Sequence, residues 1–153
     1  MINEGQPAPA LDLPTAGGGR VTLAALKGKP AVVYFYPKDD TTGCTREAQD
    51  FTALAAEFAA LGATVIGVSK DTVKKHDRFK AKYDLAVVLA SDEDGAACEA
   101  WGVWVQKKLY GREYMGIERA TFLVDADGRV ARVWRYVKVA DHAAAVLEAV
   151  KAL

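Results

Sequence analysis

The run Tyr36-Pro37-Lys38-Asp39-Asp40-Thr41-Thr42-Gly43-Cys44-Thr45-Arg46-Glu47 gathers a thiol, a hydroxyl, a carboxylate and a rigid proline within twelve residues. It joins an apolar, strand-like stretch to a helical pattern that begins near Thr42, so Cys44 falls in the opening turn of a helix. Unpaired N–H groups and the positive end of the helix dipole favour an anion there. Thiols so placed titrate at roughly 3.5–7.5 instead of about 8.5. Cys44 is therefore a candidate nucleophile. Taken one at a time, these residues also have plainer readings. Cys44 could be a small apolar side chain on the Ala48/Phe51 face, Pro37 a strand terminator and Thr41 a helix N-cap. Arg119, far along the chain, could be a solvated charge on an edge strand.

The elements that must position this run follow from periodicity. Proline and glycine between residues 6 and 19 punctuate a short hairpin with arms at 10–13 and 20–23. Residues 31–36 are continuously apolar, rich in β-branched and aromatic side chains and stopped by Pro37, as in a strand covered on both faces. From Thr42, apolar residues recur at steps of three and four as far as Phe58, with Gly62 just beyond. This predicts one amphipathic helix with a C-terminal stop. A second buried strand at 63–68, a helix at 72–83, a short strand at 87–89 and a two-turn helix at 96–101 complete a parallel βαβ core. Residues 120–124 and 129–137, joined by Asp125-Ala126-Asp127-Gly128, read as an antiparallel hairpin. An Ala-rich helix over 140–153 closes the chain. Together they predict an α/β chain of the thioredoxin-like type, with a mixed sheet flanked by helices and an N-terminal β-hairpin.

Composition narrows the function classes. The chain has 153 residues, 20 basic and 20 acidic side chains, 51% hydrophobic residues and two cysteines. That length suits a single domain spanning 1–153. Zero formal charge gives no basic field for a phosphate backbone, so no nucleic-acid partner is expected. Two cysteines cannot build a disulfide scaffold, and reduced thiols in a cytoplasm are the default. The start, Met1-Ile2-Asn3-Glu4-Gly5-Gln6-Pro7, has neither a basic region nor an apolar run, and no stretch of about 18 apolar residues occurs. The expectation is a soluble, untargeted, cytoplasmic protein without membrane partners.

Pro37-x-x-x-Thr41-x-x-Cys44 matches the signature Pro-x-x-x-Thr/Ser-x-x-Cys, and the longer run from Phe35 to Glu47 resembles the peroxiredoxin Q, or bacterioferritin comigratory protein, subfamily of peroxiredoxins. A second segment, Tyr114 to Asp125, is similar to that subfamily's Arg-containing strand, and Gly102-Val103-Trp104 resembles its neighbour. The resemblance covers nearly the whole chain. It implies a thiol-dependent peroxidase acting on hydrogen peroxide and organic hydroperoxides. Cys44 would be the peroxidatic cysteine, which becomes sulfenic acid. Thr41 would hydrogen-bond the peroxide and thiolate, Pro37 would shield the pocket from water, and Arg119 would face the sulfur. Glu47, one helical step beyond Cys44, is then the carboxylate suited to hold Arg119. Elementary chemistry agrees, because the oxygen leaving a hydroperoxide gains negative charge that a hydroxyl and a guanidinium can stabilise. Ionising the sulfur is not enough. Lowering a thiol from about 8.5 to about 5.5 raises its thiolate fraction at pH 7 about 30-fold, yet a Brønsted slope of about 0.4–0.5 removes a similar factor from its nucleophilicity.

The sequence departs from the subfamily where a second, resolving cysteine often stands: Gln49 and Lys80 occupy the two usual positions. The remaining Cys98, among Ala96, Ala97 and Ala100, reads as a buried structural thiol, the alternative being a disulfide partner for Cys44. The expected cycle is therefore one-cysteine-like, with an external thiol such as thioredoxin, glutaredoxin or a small thiol as reductant. The chain is expected as a monomer or weak homodimer. Rival classes fare worse. A disulfide reductase would need Cys-x-x-Cys, a cysteine hydrolase would need a histidine base, and a non-catalytic binding or chaperone role is the alternative that failure of Cys44 to consume hydrogen peroxide would favour. His76, on a Lys-rich helix, and His142, at the start of the last helix, read as solvent-facing. No cofactor is expected, and the scattered histidines and cysteines lack the spacing of metal ligands.

Overall fold

Proline and glycine near the N-terminus give a short antiparallel hairpin, β1 (Asp12–Pro14) with β2 (Arg20–Thr22), in the computed structural model, which describes residues 2–153. A turn of 3-10 helix, Ala24–Leu26, leads to β3 (Ala31–Phe35), buried along its whole length as its composition requires. The chain continues through α1 (Thr42–Ala53), α2 (Ala55–Ala60), β4 (Thr64–Ser69), α3 (Val73–Tyr83), β5 (Val88–Ser91) and α4 (Ala96–Ala100). It ends with β6 (Trp104–Leu109), β7 (Arg112–Ile117), β8 (Ala120–Val124), β9 (Val130–Trp134) and α5 (His142–Lys151).

Five strands form the main sheet in the order β5-β4-β3-β8-β9. β3 runs parallel to β4 and β4 to β5, whereas β8 pairs antiparallel with both β3 and β9. This is the mixed sheet the sequence predicts. Strand alternation sends Val32, Tyr34 and Leu123 to one face, where they pack with Cys44, Ala48 and Phe51 of α1, Phe58 of α2 and Val146 of α5. Val33, Phe35 and Phe122 point to the other face, against Cys98, Trp101 and the N-terminal segment. Full burial of each such side chain contributes about 1.5–3 kcal/mol, so the sheet is fixed from both sides.

Two expectations need correction, and one hairpin was not foreseen. The helix predicted from Thr42 to Gly62 is two helices, because Leu54 leaves helical geometry at φ −100°, ψ 8° and its N–H bonds back to Phe51 O at 3.2 Å. The break lets Phe51 and Phe58 face the same core, with ring centroids 5.9 Å apart. Gly62 does stop the second helix, at φ +73°, with Gly62 N–H on Ala59 O and Ala63 N–H on Phe58 O. The strand predicted over 129–137 ends at Trp134. Finally, β6 and β7 form a separate two-stranded hairpin that the sequence pattern did not announce. Its turn is Tyr110-Gly111, both at positive φ, and its exposed strands lack clean apolar alternation.

Candidate active site

Cys44 is the third residue of α1, on a helix whose N-cap, Thr41, is extended (φ −92°, ψ 157°). The Thr41 side chain makes no capping bond, and no acidic residue lies in the first turn. The opening N–H groups are thus left to face an anion. Cys44 is 2% exposed. Directly before it, Gly43 lets the arginine approach: a Cβ there would lie 3.3 Å from Arg119 Nη2.

Arg119 comes from the two-residue link between β7 and β8, and its guanidinium spans the site. Nη2 donates to Cys44 Sγ at 3.3 Å, and Nη1 donates to Glu47 Oε1 at 2.6 Å. Glu47 lies one turn after Cys44 and is 1% exposed. Burial pushes its carboxyl up to about 7, against the opposing pull of Arg119. Burial works against the charge of Arg119, but Glu47 and Cys44 outweigh it and raise the guanidinium above its ordinary range. The result is a cation between two groups that can each be anionic. Its outer side lines an open groove of about 490 Å³ with Lys107, Tyr114, Tyr136 and Val137.

The link that carries Arg119 is itself braced. Glu118 takes both ends of the Arg135 fork, at 2.8 and 2.5 Å, and accepts from Tyr136 N–H at 3.0 Å. Burial opposes its ionisation, but these bonds prevail and hold its carboxyl below the usual range. The backbone adds Glu118 N–H to Val103 O and Val137 N–H to Arg119 O. Sequence reasoning overlooked Glu118 and Arg135. The signal was the acidic residue directly beside Arg119, but its partner lies 17 residues away.

Of the residues singled out in the sequence, Cys44, Glu47 and Arg119 are in contact. Thr41 and Pro37 border the site as exposed residues. The Thr41 hydroxyl donates to Lys38 O at 2.9 Å, not to the sulfur, because the extended N-cap turns it back across its own loop. Cys98 is completely buried on the opposite face of the sheet. Its thiol is pushed well above the ordinary range, by burial first and then by Asp92. Both histidines are buried, contrary to expectation, since each lies on the sheet-facing side of its helix: His76 with Phe79, and His142 with Ala143 and Val146. His142 Nε2 lies 2.7 Å from Thr121 Oγ1, and burial together with the charge of Arg119 lowers its pKa to about 4. Asp39, Asp71 and His76 bring donor atoms within 4.8 Å of one another, the spacing of a cation site, but each is engaged in hydrogen bonds.

The family model described as AhpC/TSA matches residues 4–133. The chain belongs to the AhpC/TSA family and is a peroxiredoxin. A peroxiredoxin Bcp of Xanthomonas campestris is 52% identical over 148 residues, covering 95% of this chain and 92% of the relative. The Bacillus subtilis peroxiredoxin Bcp is 50% identical over 150 residues, with 98% and 96% covered. Among solved structures, the Xanthomonas campestris bacterioferritin comigratory protein superposes with a TM-score of 0.91 at 49% identity and 98% coverage of both chains. That structure is described in connection with alkyl peroxide reduction. A cysteine mutant of Xylella fastidiosa PrxQ gives a TM-score of 0.94 at 39% identity, covering 99% of this chain and 97% of the other. The thioredoxin-like fold and the class of enzyme, a peroxidase among the oxidoreductases, follow from these likenesses. Among the described residues of this peroxiredoxin, no helix is long and apolar enough to cross a membrane.

Proposed function

We propose that this peroxiredoxin reduces hydrogen peroxide and organic hydroperoxides at Cys44 and is reset by an external thiol. The observation that carries the reading is the single guanidinium shared by Cys44 Sγ and Glu47 Oε1. The thiolate attacks one peroxide oxygen, forming an S–O bond as the O–O bond breaks. The sulfur is oxidised to sulfenic acid, and the departing oxygen takes a proton and leaves as water or alcohol. Arg119 holds the thiolate and stabilises charge on the departing oxygen, while Glu47 fixes the Arg119 fork. The Thr41 hydroxyl donates its hydrogen bond to Lys38 O, so its lone pairs are free to accept the O–H of the hydroperoxide. Pro37 limits water on the open side. One external thiol then displaces water from the sulfenic acid, and a second releases the thiolate and leaves a disulfide of the reductant.

The position of Cys98 supports an external reductant, thioredoxin, glutaredoxin or a small thiol in a reducing cytoplasm. Cys98 is fully buried and has the five-stranded sheet between it and Cys44, whereas bridging cysteines need Cα atoms within about 7 Å. Stopped-flow mixing of reduced protein with hydrogen peroxide and with an alkyl hydroperoxide tests the first half. Cys44→Ser is expected to abolish consumption, and a variant that still consumes peroxide would refute the assignment.

A further inference from the structure

Residue 39 is fastened by three partners, although its segment, between the end of β3 and the start of α1, has no regular secondary structure. Asp39 Oδ1 accepts from Tyr36 Oη at 2.6 Å, and Oδ2 lies 2.6 Å from His76 Nδ1. Its backbone N–H donates to Asp71 Oδ2 at 2.9 Å, an oxygen that also accepts from Ser69 Oγ at 2.7 Å. His76 is wholly buried and its other nitrogen, Nε2, lies 2.9 Å from Ala90 O. A carbonyl only accepts, so Nε2 carries a hydrogen. The contact between Nδ1 and Oδ2 must then hold one proton, on the imidazole or on the carboxyl, because two lone pairs cannot meet at that distance. Burial, aided by Tyr34 and Asp39, raises the Tyr36 phenol, which keeps it a donor.

We propose that Asp39 and His76 are positioning residues of the peroxidase, holding the loop that carries Thr41 and opens the Cys44 helix. The inference rests on the peroxidase reading above. Thr41 is two residues beyond Asp39, and its carbonyl accepts from Thr45 N–H at 2.8 Å to begin α1. The place of the Thr41 hydroxyl is therefore set by how firmly residue 39 is held. The neighbouring tie, Asp40 to Lys82 and Tyr83, is exposed and screened and cannot replace it. The Asp39–His76 contact is buried, with side-chain exposures of 6% and 0%, although Asp39 and Asp71 also border an open groove of about 400 Å³. Removing Asp39 or His76 leaves a buried polar atom of the other short of a hydrogen bond, so the loop must move to solvate it. A displacement of about 1 Å at a group that grips substrate costs up to about a hundredfold in rate. Cys44 itself is also held from α1 and Arg119, so the loss falls on gripping peroxide more than on the sulfur.

Two rates measured on the fully reduced chain separate these effects: the second-order reaction of Cys44 with hydrogen peroxide, and its alkylation by iodoacetamide, which needs the thiolate but no peroxide grip. Asp39→Ala and His76→Phe are expected to lower the ratio of the first rate to the second at least about tenfold. Asp39→Asn keeps an oxygen for Tyr36 and offers an N–H to Nδ1. It should keep the ratio within about threefold of wild type. Should the first two variants not fold, Tyr36→Phe deletes one bond to the node and is expected to lower the ratio about threefold. A ratio unchanged in every folded variant, or lost as fully in Asp39→Asn as in Asp39→Ala, would overturn the proposal. Wild-type protein that alkylates at Cys44 yet consumes no peroxide would instead overturn the peroxidase reading.

Discussion

Arg119 Nη2 stands 3.3 Å from Cys44 Sγ across a separation of 75 residues, and the same guanidinium reaches Glu47 with its other arm. One cation thus serves two buried groups that compete for it. The charge of the guanidinium is therefore felt by both the sulfur and the Glu47 carboxyl.

If Arg119 acts on the O–O bond as well as on the thiolate, Arg119→Ala should slow peroxide reduction by about 10²–10³. The loss should exceed what the change in thiolate fraction explains at each pH. Stopped-flow rates set beside thiolate absorbance measure both. A rate loss that tracks thiolate fraction across the whole pH range would count against the role.

Glu47 gives a stability signature. Its folded pKa, about 7, lies above its ordinary value of 4.5. The folded state therefore holds the proton more tightly, and this contribution is full below about pH 4.5 and lost as pH rises through 7. The loss amounts to up to about 3 kcal/mol. Urea unfolding of reduced protein at pH 5 and pH 7.5 should show this fall in wild type and a flatter response in Glu47→Gln. Equal pH dependence in the two proteins would contradict it.

His142 has the opposite sign. Its folded pKa, lowered to about 4 from 6.5 by burial and by Arg119, contributes stability present above about pH 6.5 and lost as pH falls through 4. The imidazole resonance of His142 should titrate near pH 4 in the native protein. A midpoint near 6.5 would show that the side chain is not buried beside Arg119.

The two thiols should separate chemically. Native reduced protein is expected to react with a disulfide reagent at one thiol and at two after denaturation, since Cys44 opens a helix beside Arg119 whereas Cys98 is wholly buried with its thiol raised. Cys98→Ala should retain peroxide turnover with an external reductant. A linked Cys44–Cys98 peptide in non-reducing mass spectrometry after one equivalent of peroxide would replace this cycle with an internal one.

Gly67 pairs with Tyr34 across the parallel strands, and a Cβ at Gly67 would lie 2.6 Å from Tyr34 Cζ. Tyr34 stacks on Phe51 at 4.8 Å and is fully buried, so the ring has no room to yield. Gly67→Ala should cost about 1–3 kcal/mol or more in urea unfolding. Tyr34→Phe should not rescue it, because the clash includes the ring carbon as well as the hydroxyl.

The placement of Cys44 was legible locally, because a thiol in the first turn of a helix after a buried strand and a proline is written within twelve consecutive residues. Strand and helix periods likewise determined the βαβ core, and the two segments of family resemblance pointed to Cys44 and Arg119 together. Contacts between distant residues were another matter. That Arg119 bridges Cys44 and Glu47, that Glu118 is braced by Arg135, and that the sheet separates Cys98 from Cys44 depend on strand order and on which helix covers which face. The histidines show the limit. His76 shares a helix face with Phe79 and His142 with Val146, so the spacing for burial was present, but the lysines around His76 and the helix-start position of His142 masked it. Composition reports a helix as a whole, whereas burial is decided by the one face that meets the sheet. Only the tertiary structure turned His76 inward and set Asp39 against it.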